Sequence, residues 1–326
     1  MEPKQPKAAT PAITLQPFQT GHIPGLVRLS AEVEAVDRSG FALDRGQLLE
    51  SIQAAPDDFE RRCWLAFAPG DRPVGYIRAE QRANNGQLNY WLHGLVHPGW
   101  RRQGLGERLM RRTWQTLQSE LAPDRPSYAL AWAYKGDEGR QALFAKFGLK
   151  PYHLYWEMAR QNLADVPPAA WPEGISPRPW DERAAGAVVA LRNRIFAEDW
   201  DYRPLSAERL CRDFRRGRFE PELAVIAWQG DQPVGFTFSC LAWTRRARRA
   251  NEGEIVWVGV EPGRRGNGLG AALMQETLRR LHAAGAEVAT LGADTTRDEA
   301  PRLYTRLGFA PRKVVVDYRR QITREV

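Results

Sequence analysis

The sequence predicts a mixed α/β chain of two tandem domains, each a mainly antiparallel twisted sheet flanked by helices. Three observations carry this. Blocks recur in the same order: 71–76 returns as 231–236 and 143–149 as 303–309, each shifted by 160 residues, while 96–113 returns as 260–277, shifted by 164 with ten of eighteen positions identical. That period is far too long for a solenoid, so each copy is a domain. The length, 326 residues, exceeds an ordinary single domain. Each copy also shows the same order of helical and alternating patterns.

The second copy justifies the elements in turn. A short strand is expected over 174–180, then a helix over 181–196 with Val188, Leu191 and Ile195 on one face. A second helix over 206–216 has Ser206 as its cap and Glu208 in its first turn. Strands at 223–228 and 234–241 flank Gly230-Asp-Gln-Pro233, a hairpin signal. Then come a strand at 254–260, a helix at 270–284, a strand at 288–293, a helix at 299–307 and a last strand at 313–318. The domains are placed at 12–160 and 175–322. The proline-bearing stretch 161–174 is the linker, and 1–11 is a polar, disordered tail.

Composition narrows the class. No run of eighteen apolar residues exists, so no membrane span is expected, and the N-terminus lacks the apolar stretch of a signal peptide. Cys63, Cys211 and Cys240 are scattered, which argues for a reducing, cytoplasmic setting and against a disulfide frame or structural zinc. The five histidines form no H-E-x-x-H, and no metal is expected. With 47 basic against 39 acidic residues, the charge bias suits a groove for a phosphorylated ligand as well as nucleic acid. There is no basic low-complexity arm, and nucleic acid is the minority reading.

The segment 260–271 joins a buried strand to an amphipathic helix. Pro262 stops the strand, and Gly266, Gly268 and Gly270 allow positive φ and close backbone approach. The helix then starts with unpaired N–H groups at the positive end of its dipole, which can cradle a pyrophosphate, with Arg264 and Arg265 adding charge. A Walker loop would need Lys-Ser/Thr after its last glycine, but Leu269-Gly270-Ala271 stands here, and the glycine spacing is not that of a dinucleotide fingerprint. An ordinary glycine-rich turn is the plain alternative, and its duplication weighs against that.

R-x-x-G-x-G between a strand and a long helix, standing as Arg101, Gly104, Gly106 and again as Arg265, Gly268, Gly270, resembles the acetyl-CoA loop of the GNAT superfamily of N-acetyltransferases. The block Ala300-x-x-Leu303-Tyr304-x-x-x-Gly308-Phe309 resembles that family's second motif. The tandem layout and the run Gly253 to Val260 look most like the two-domain subfamily of mycothiol synthase. The resemblance implies a sheet that splays between the strands ending near Val260 and Ala293. Pantetheine would lie in the split along Val258, Gly259 and Val260, with the pyrophosphate on amides of Arg265, Gly266, Asn267, Gly268, Leu269, Gly270 and Ala271. It implies acetyl-CoA as acyl donor, an amine-bearing small molecule as acceptor, and no metal.

Amide formation from an amine and a thioester needs a base, an oxyanion donor and an acid for the leaving thiolate. Glu254 is the candidate base; period two puts it on one strand face with Val256 and Val258, and Glu252 is the fallback. The plain alternative for Glu254 is a solvated strand-end carboxylate. Tyr304 is the candidate acid, its alternative being a core aromatic beside Leu303 and Leu307. A backbone N–H near Val260 is the oxyanion donor that the resemblance implies. In the first copy Tyr90 takes the position of Glu254 and Phe144 that of Tyr304, so that copy is expected to be catalytically inactive.

Arg245 to Arg249, preceded by Trp243, reads as a solvated basic loop, with acceptor or nucleic-acid phosphate binding as the sharper alternative. Asp199-Trp200 is placed at the border of the acceptor pocket. Rival functions are a non-catalytic CoA-binding scaffold and an acetyltransferase acting on a protein amino group.

Overall fold

The structure, a computed structural model, describes residues 12–38, 42–84, 86–122, 124–199, 202–241, 251–296 and 299–324. The tail 1–11, the basic loop 245–249 with Trp243, and Trp200 lie outside the described residues. The mixed α/β class and the repeated, largely antiparallel sheets are as the sequence predicts.

Residues group into two compact units. One holds Met1–Ala133, Asp137–Tyr152 and Asp317–Val326; the other holds Tyr134–Gly136 and His153–Val316. The first repeat supplies β1 (Thr14–Pro17), α1 (Ile23–Asp37), α2 (Arg45–Ala54), α3 (Pro56–Glu60), β2 (Cys63–Ala68), β3 (Arg72–Asn84), β4 (Gln87–Val96), α4 (Leu105–Ser119), β5 (Ser127–Tyr134), α5 (Glu138–Lys146) and β6 (Lys150–Arg160). The second supplies β7 (Ile175–Arg178), α6 (Ala185–Phe196), α7 (Ala207–Arg215), β8 (Val225–Gln229), β9 (Gln232–Leu241), β10 (Glu252–Val260), α8 (Leu269–Ala283), β11 (Val288–Asp294), α9 (Glu299–Arg306) and β12 (Ala310–Gln321).

In the second unit the strands run β7-β8-β9-β10-β11 and then β6, the last strand of the first repeat. β6 pairs antiparallel with β11 from Tyr155↔Asp294 to Arg160↔Ala289. Met158 of this strand is wholly buried among Ile255, Leu278, Leu291 and Tyr304, worth about 1.5–3 kcal/mol of transfer free energy. Arg160 donates to the carbonyl of Leu307, one of the orphan acceptors at the end of α9. The first unit mirrors this. Its order is β1-β2-β3-β4-β5, followed by the end of β12 from the second repeat. There Ile322 N–H donates to Ser127 O at 2.8 Å, the Tyr318 ring lies 5.3 Å from that of Phe144, and Arg320 donates to Phe147 O at 2.6 Å behind α5. Arg160 and Arg320, like Phe147 and Leu307, are 160 residues apart. The repeats have therefore exchanged equivalent strands.

The two faces of the second unit's sheet differ. Val188, Leu191, Ile195, Leu210 and Phe214 of α6 and α7 cover Phe236 and Phe238 on one face. Leu278 and Leu281 of α8, with Tyr304 of α9, cover Ile255 and Leu291 on the other. Ser206 caps α7 by accepting from Arg209 N–H at 3.2 Å, as its sequence position predicts.

Ending the chain after Val316 removes the strand that closes β5 and the cap on α5. The first unit is expected to lose stability and to expose an unpaired edge. Thermal unfolding should begin at lower temperature and the truncated chain should self-associate in sedimentation; an unchanged sedimentation profile with an unchanged melt would contradict the exchange.

Candidate active site

β10 leads into the site with a bulge. Ile255 pairs with Ser239 but Trp257 with Phe238, so Val256 is the extra residue. Glu254 pairs with Cys240 and Gly259 with Phe236. Because Cys240, Phe238 and Phe236 alternate along one face of β9, Glu254, Trp257 and Gly259 share that face, beneath α6 and α7. This corrects the strict period-two reading. Val256 stays with the α6–α7 cluster, but Val258 packs on the opposite face with Ile255.

The parallel pairing of β10 with β11 runs from Glu252↔Val288 to Ile255↔Leu291 and stops. β10 continues to Val260 and β11 to Asp294 without a further registered pair. The 256–260 stretch, which includes Val258, Gly259 and Val260, thus turns one backbone edge toward an open split. Unpaired edge amides and carbonyls are the groups an extended amide-bearing ligand can satisfy.

The turn that follows has the expected build, with one refinement. Gly266 has φ +83° and Gly268 φ +88°; Gly268 is the residue before α8, and no side chain caps the helix start. Asn267 is exposed between them. Gly270 serves differently: it is helical, and a Cβ there would sit 3.2 Å from Leu303 Cδ2. Arg265 Nε donates to Val260 O at 3.2 Å, pinning the turn to the strand end. Leu269 is anchored in the core, so it offers a ligand only its amide, beside those of Gly270 and Ala271 in the uncapped first turn. The uncapped N–H groups and the helix dipole make this an anion cradle.

Glu254 is 6% exposed, one row before the split opens. Buried, it is not the solvated carboxylate of the plain alternative. Glu252 is buried too, but Arg312 Nη1 lies 3.1 Å from its Oε1 and holds it as an ion pair. Tyr304 lies on the α8–α9 side, its ring 6.1 Å from that of Phe309. Burial pushes its hydroxyl up to about 12, with no charged group contributing. Base and acid candidates therefore flank the split from opposite faces of the sheet.

Sequence reasoning missed what the exchanged strand brings. Thr290 pairs with both Glu254 and Ala159, Gly292 with Glu157, and Asp294 with Tyr155. By alternation Tyr155, Glu157, Asp294 and Glu254 share one face. Glu157 is buried and accepts from the Tyr134 hydroxyl at 3.4 Å. Burial would raise the Asp294 carboxyl, but the His153 ring 3.1 Å away and hydrogen bonds from Thr296 outweigh it and bring it down to about 2. The face is acidic, suited to a cationic or hydroxyl-rich molecule. Arg192 stacks 5.0 Å from the Trp257 ring, and Asp199 lies in the turn after α6.

The first copy keeps the frame and changes the chemistry. β4 and β5 pair from Leu88↔Ser127 to Trp91↔Leu130 and then part. Gly104, φ +79°, precedes α4, again with no side-chain cap. A Cβ on Gly106 would sit 3.3 Å from Leu143 Cδ2. Arg102 stands where the second copy has Gly266 and holds φ +61°, a conformation that costs a non-glycine residue about 1–2 kcal/mol. Arg101 Nε donates to Val96 O at 3.0 Å, as Arg265 does to Val260, but its guanidinium also clasps Asp37 through two 2.8 Å bonds. No bulge interrupts β3–β4. Glu80 pairs with Trp91 as Cys240 pairs with Glu254, so Trp91, not Tyr90, is the counterpart of Glu254. Among the described residues no group of His, Cys, Asp and Glu is arranged to hold a metal ion, and no helix is long and apolar enough to cross a membrane.

The chain is similar to known proteins in sequence and in fold. The acetyltransferase (GNAT) family model matches residues 186–309, and an acetyltransferase (GNAT) domain model matches 60–150. Mycothiol acetyltransferase of Actinosynnema mirum is 32% identical over 308 residues, 93% of this chain and 96% of its own length. That of Thermobispora bispora is 31% identical over 259 residues, 79% of this chain and 83% of its own. In fold, the chain is similar to a GCN5-related N-acetyltransferase from Sphaerobacter thermophilus, with TM-score 0.71, 24% identity and coverage of 96% and 97% of the two chains. A tandem GNAT protein from the clavulanic acid biosynthesis pathway gives TM-score 0.73 at 17% identity, covering 97% and 100%.

Replacing Gly268 by alanine puts a Cβ on a left-handed backbone, at a cost of about 1–2 kcal/mol, or moves the amides that face the ligand. Calorimetric titration with acetyl-CoA is expected to show at least tenfold weaker binding at this unit; equal affinity would remove the turn from the ligand's footprint.

Proposed function

The chain belongs to the GNAT family of acetyltransferases, with two family domains in tandem, and on that premise we propose that its C-terminal unit moves an acetyl group from acetyl-CoA to the primary amine of a small molecule. The observation that carries this reading is the position of Glu254, buried on the α6–α7 face at the last rows of paired strand before the split.

Glu254 takes the amine proton, directly or through one water, as the amine attacks the thioester carbonyl. A backbone N–H near Val260 faces the developing oxyanion. Tyr304 gives its proton to the departing thiolate. The burial that raises its hydroxyl to about 12 keeps that proton in place at neutral pH. With the two groups on opposite faces, the nucleophile enters from the α6–α7 side and the thiolate leaves toward α9. Glu252, engaged by Arg312, holds the strand instead of serving as base.

The turn at 265–271 would hold the pyrophosphate and the 256–260 edge the pantetheine amides. Glu157 and Asp294 would receive the acceptor's hydroxyl or ammonium groups. The acceptor of the relatives named mycothiol acetyltransferase is the first to assay. In the first copy, Trp91 and Phe144 cannot run this acid–base pair, so the N-terminal GNAT domain at 12–160 lends Glu157 to this reaction but does not catalyse it in its own split.

Glu254→Gln is expected to lower kcat by about 10²–10⁴ with acetyl-CoA affinity retained, and Tyr304→Phe to lower kcat by at least tenfold without loss of fold. Wild-type turnover in either would remove that residue from the mechanism. Glu157→Gln should raise the acceptor KM severalfold while kcat holds; a lowered kcat at unchanged KM would place Glu157 in the chemistry instead.

A further inference from the structure

The first copy has lost the counterpart of Glu254, yet its acceptor-side face is not empty of chemistry. Glu80↔Trp91 and Arg78↔His93 are paired rows of β3 and β4, so Arg78, Glu80, Arg82, Trp91 and His93 share one face. Tyr76 and Leu95, the next row on that face, pack in the cluster formed by α1, α2 and α3. This is the side on which Glu254 lies in the second copy. The carboxylate has in effect crossed from the β4 side of the row to the β3 side, and an imidazole has appeared one row nearer the glycine turn.

His93 Nε2 lies 3.1 Å from Glu80 Oε2. Glu80 is fixed in turn by Arg82, whose Nε is 2.8 Å from Oε1 and Nη2 3.2 Å from Oε2. Burial would raise the Glu80 carboxyl, but hydrogen bonds from His93 and Arg82 outweigh it and hold it well below the usual carboxylate range. An ionised Glu80 accepts the Nε2 proton, which leaves the lone pair of the neutral ring on Nδ1. Among the described residues nothing bonds Nδ1, and the side chain keeps 29% of its surface exposed. Burial, with Arg78 and Arg82 on the same side and against the pull of Glu80, lowers the His93 pKa. His93 stands two residues past the last β4–β5 pair, at the mouth of the first unit's own split.

We propose that His93, oriented by Glu80, is the base of a second acetyl-transfer site in the first unit, acting on a primary amine that carries a carboxylate. The inference rests on the reading that the family's split takes acetyl-CoA, but not on Glu254. Nδ1 accepts the amine proton as the C–N bond forms. The C–S bond then breaks and the imidazolium returns the proton to the thiolate, giving amide and free CoA thiol with His93 neutral again. One group serves as base and then acid, so the reaction does not need the phenol that Phe144 has replaced. Among the strand residues of this face, Arg78 and Arg82 outnumber Glu80 by one charge, which favours an anionic amine over a cationic one.

The test uses the full chain with the second site disabled, Glu254→Gln/Tyr304→Phe. Thiol release from acetyl-CoA is followed with L-glutamate and, separately, with ethanolamine. The proposal expects saturable turnover with L-glutamate that falls at least about 100-fold when His93→Ala is added, and that free imidazole restores in part. His93→Gln, which keeps the size and polarity of a folded strand residue, should lose turnover equally and gain nothing from imidazole. Turnover absent in the doubly disabled chain, or indifferent to His93, would overturn the proposal and leave the Glu254 mechanism standing. Faster reaction with ethanolamine would overturn the acceptor class. Full activity with the acceptor of the mycothiol acetyltransferases in the doubly disabled chain, lost on His93→Ala, would uphold His93 and refute Glu254 instead.

Discussion

Parallel pairing between β10 and β11 lasts four rows, and the point where it stops organises the site. A parallel ladder that continued to Val260 would bury the edge of β10 and leave no room for a ligand. Ending it at Ile255 leaves a backbone edge in search of partners directly above a buried carboxylate. The bulge at Val256 adds an extra residue on one strand and raises the local twist there. The same bulge sets which side chains meet. It keeps Trp257 on the face of Glu254 and sends Val258 to the face of Tyr304. The split itself does not need the inserted residue, since β4 and β5 also part after four rows without a bulge; what the insertion sets is which side chains stand on its two sides.

Strand exchange is the second constraint. Each sheet is closed by a strand from the other repeat, and each closing strand brings an arginine to the carbonyl end of a helix, Arg160 at Leu307 and Arg320 at Phe147. One consequence is direct: Tyr155 and Glu157, on the same sheet face as Glu254, come from the first repeat. A first copy that lacks counterparts of Glu254 and Tyr304 is still needed to build the face on which Glu254 lies.

Much of this was legible in the sequence. The repeat offset, the glycine turn and the helix cap at Ser206 follow from periodicity and motif chemistry; Glu254 and Tyr304 are singled out with the family resemblance, and the structure adds their burial on opposite faces of the sheet. What escaped had physical reasons. A bulge adds a single residue without any signature of its own, so counting from the glycine turn matched Glu254 with Tyr90, when the strand register matches it with Trp91. The exchange is hidden because the two last strands are alike. Either could pair with either sheet, offering an arginine at the same offset, and the pattern of one repeat is satisfied by the strand of the other. Glu157 and Asp294 were missed for that reason, and the Glu80–His93 pair because it joins different strands across a diagonal.

The central claim is that the split of the second unit, with the glycine turn beyond it, is where the acyl donor lies. Amide hydrogen exchange with and without CoA tests it most directly. The account predicts slowed exchange over 256–260, where the strand edge has no partner, and over 265–271, where the helix start is uncapped. Slowed exchange confined to other segments, with these two unchanged, would contradict it.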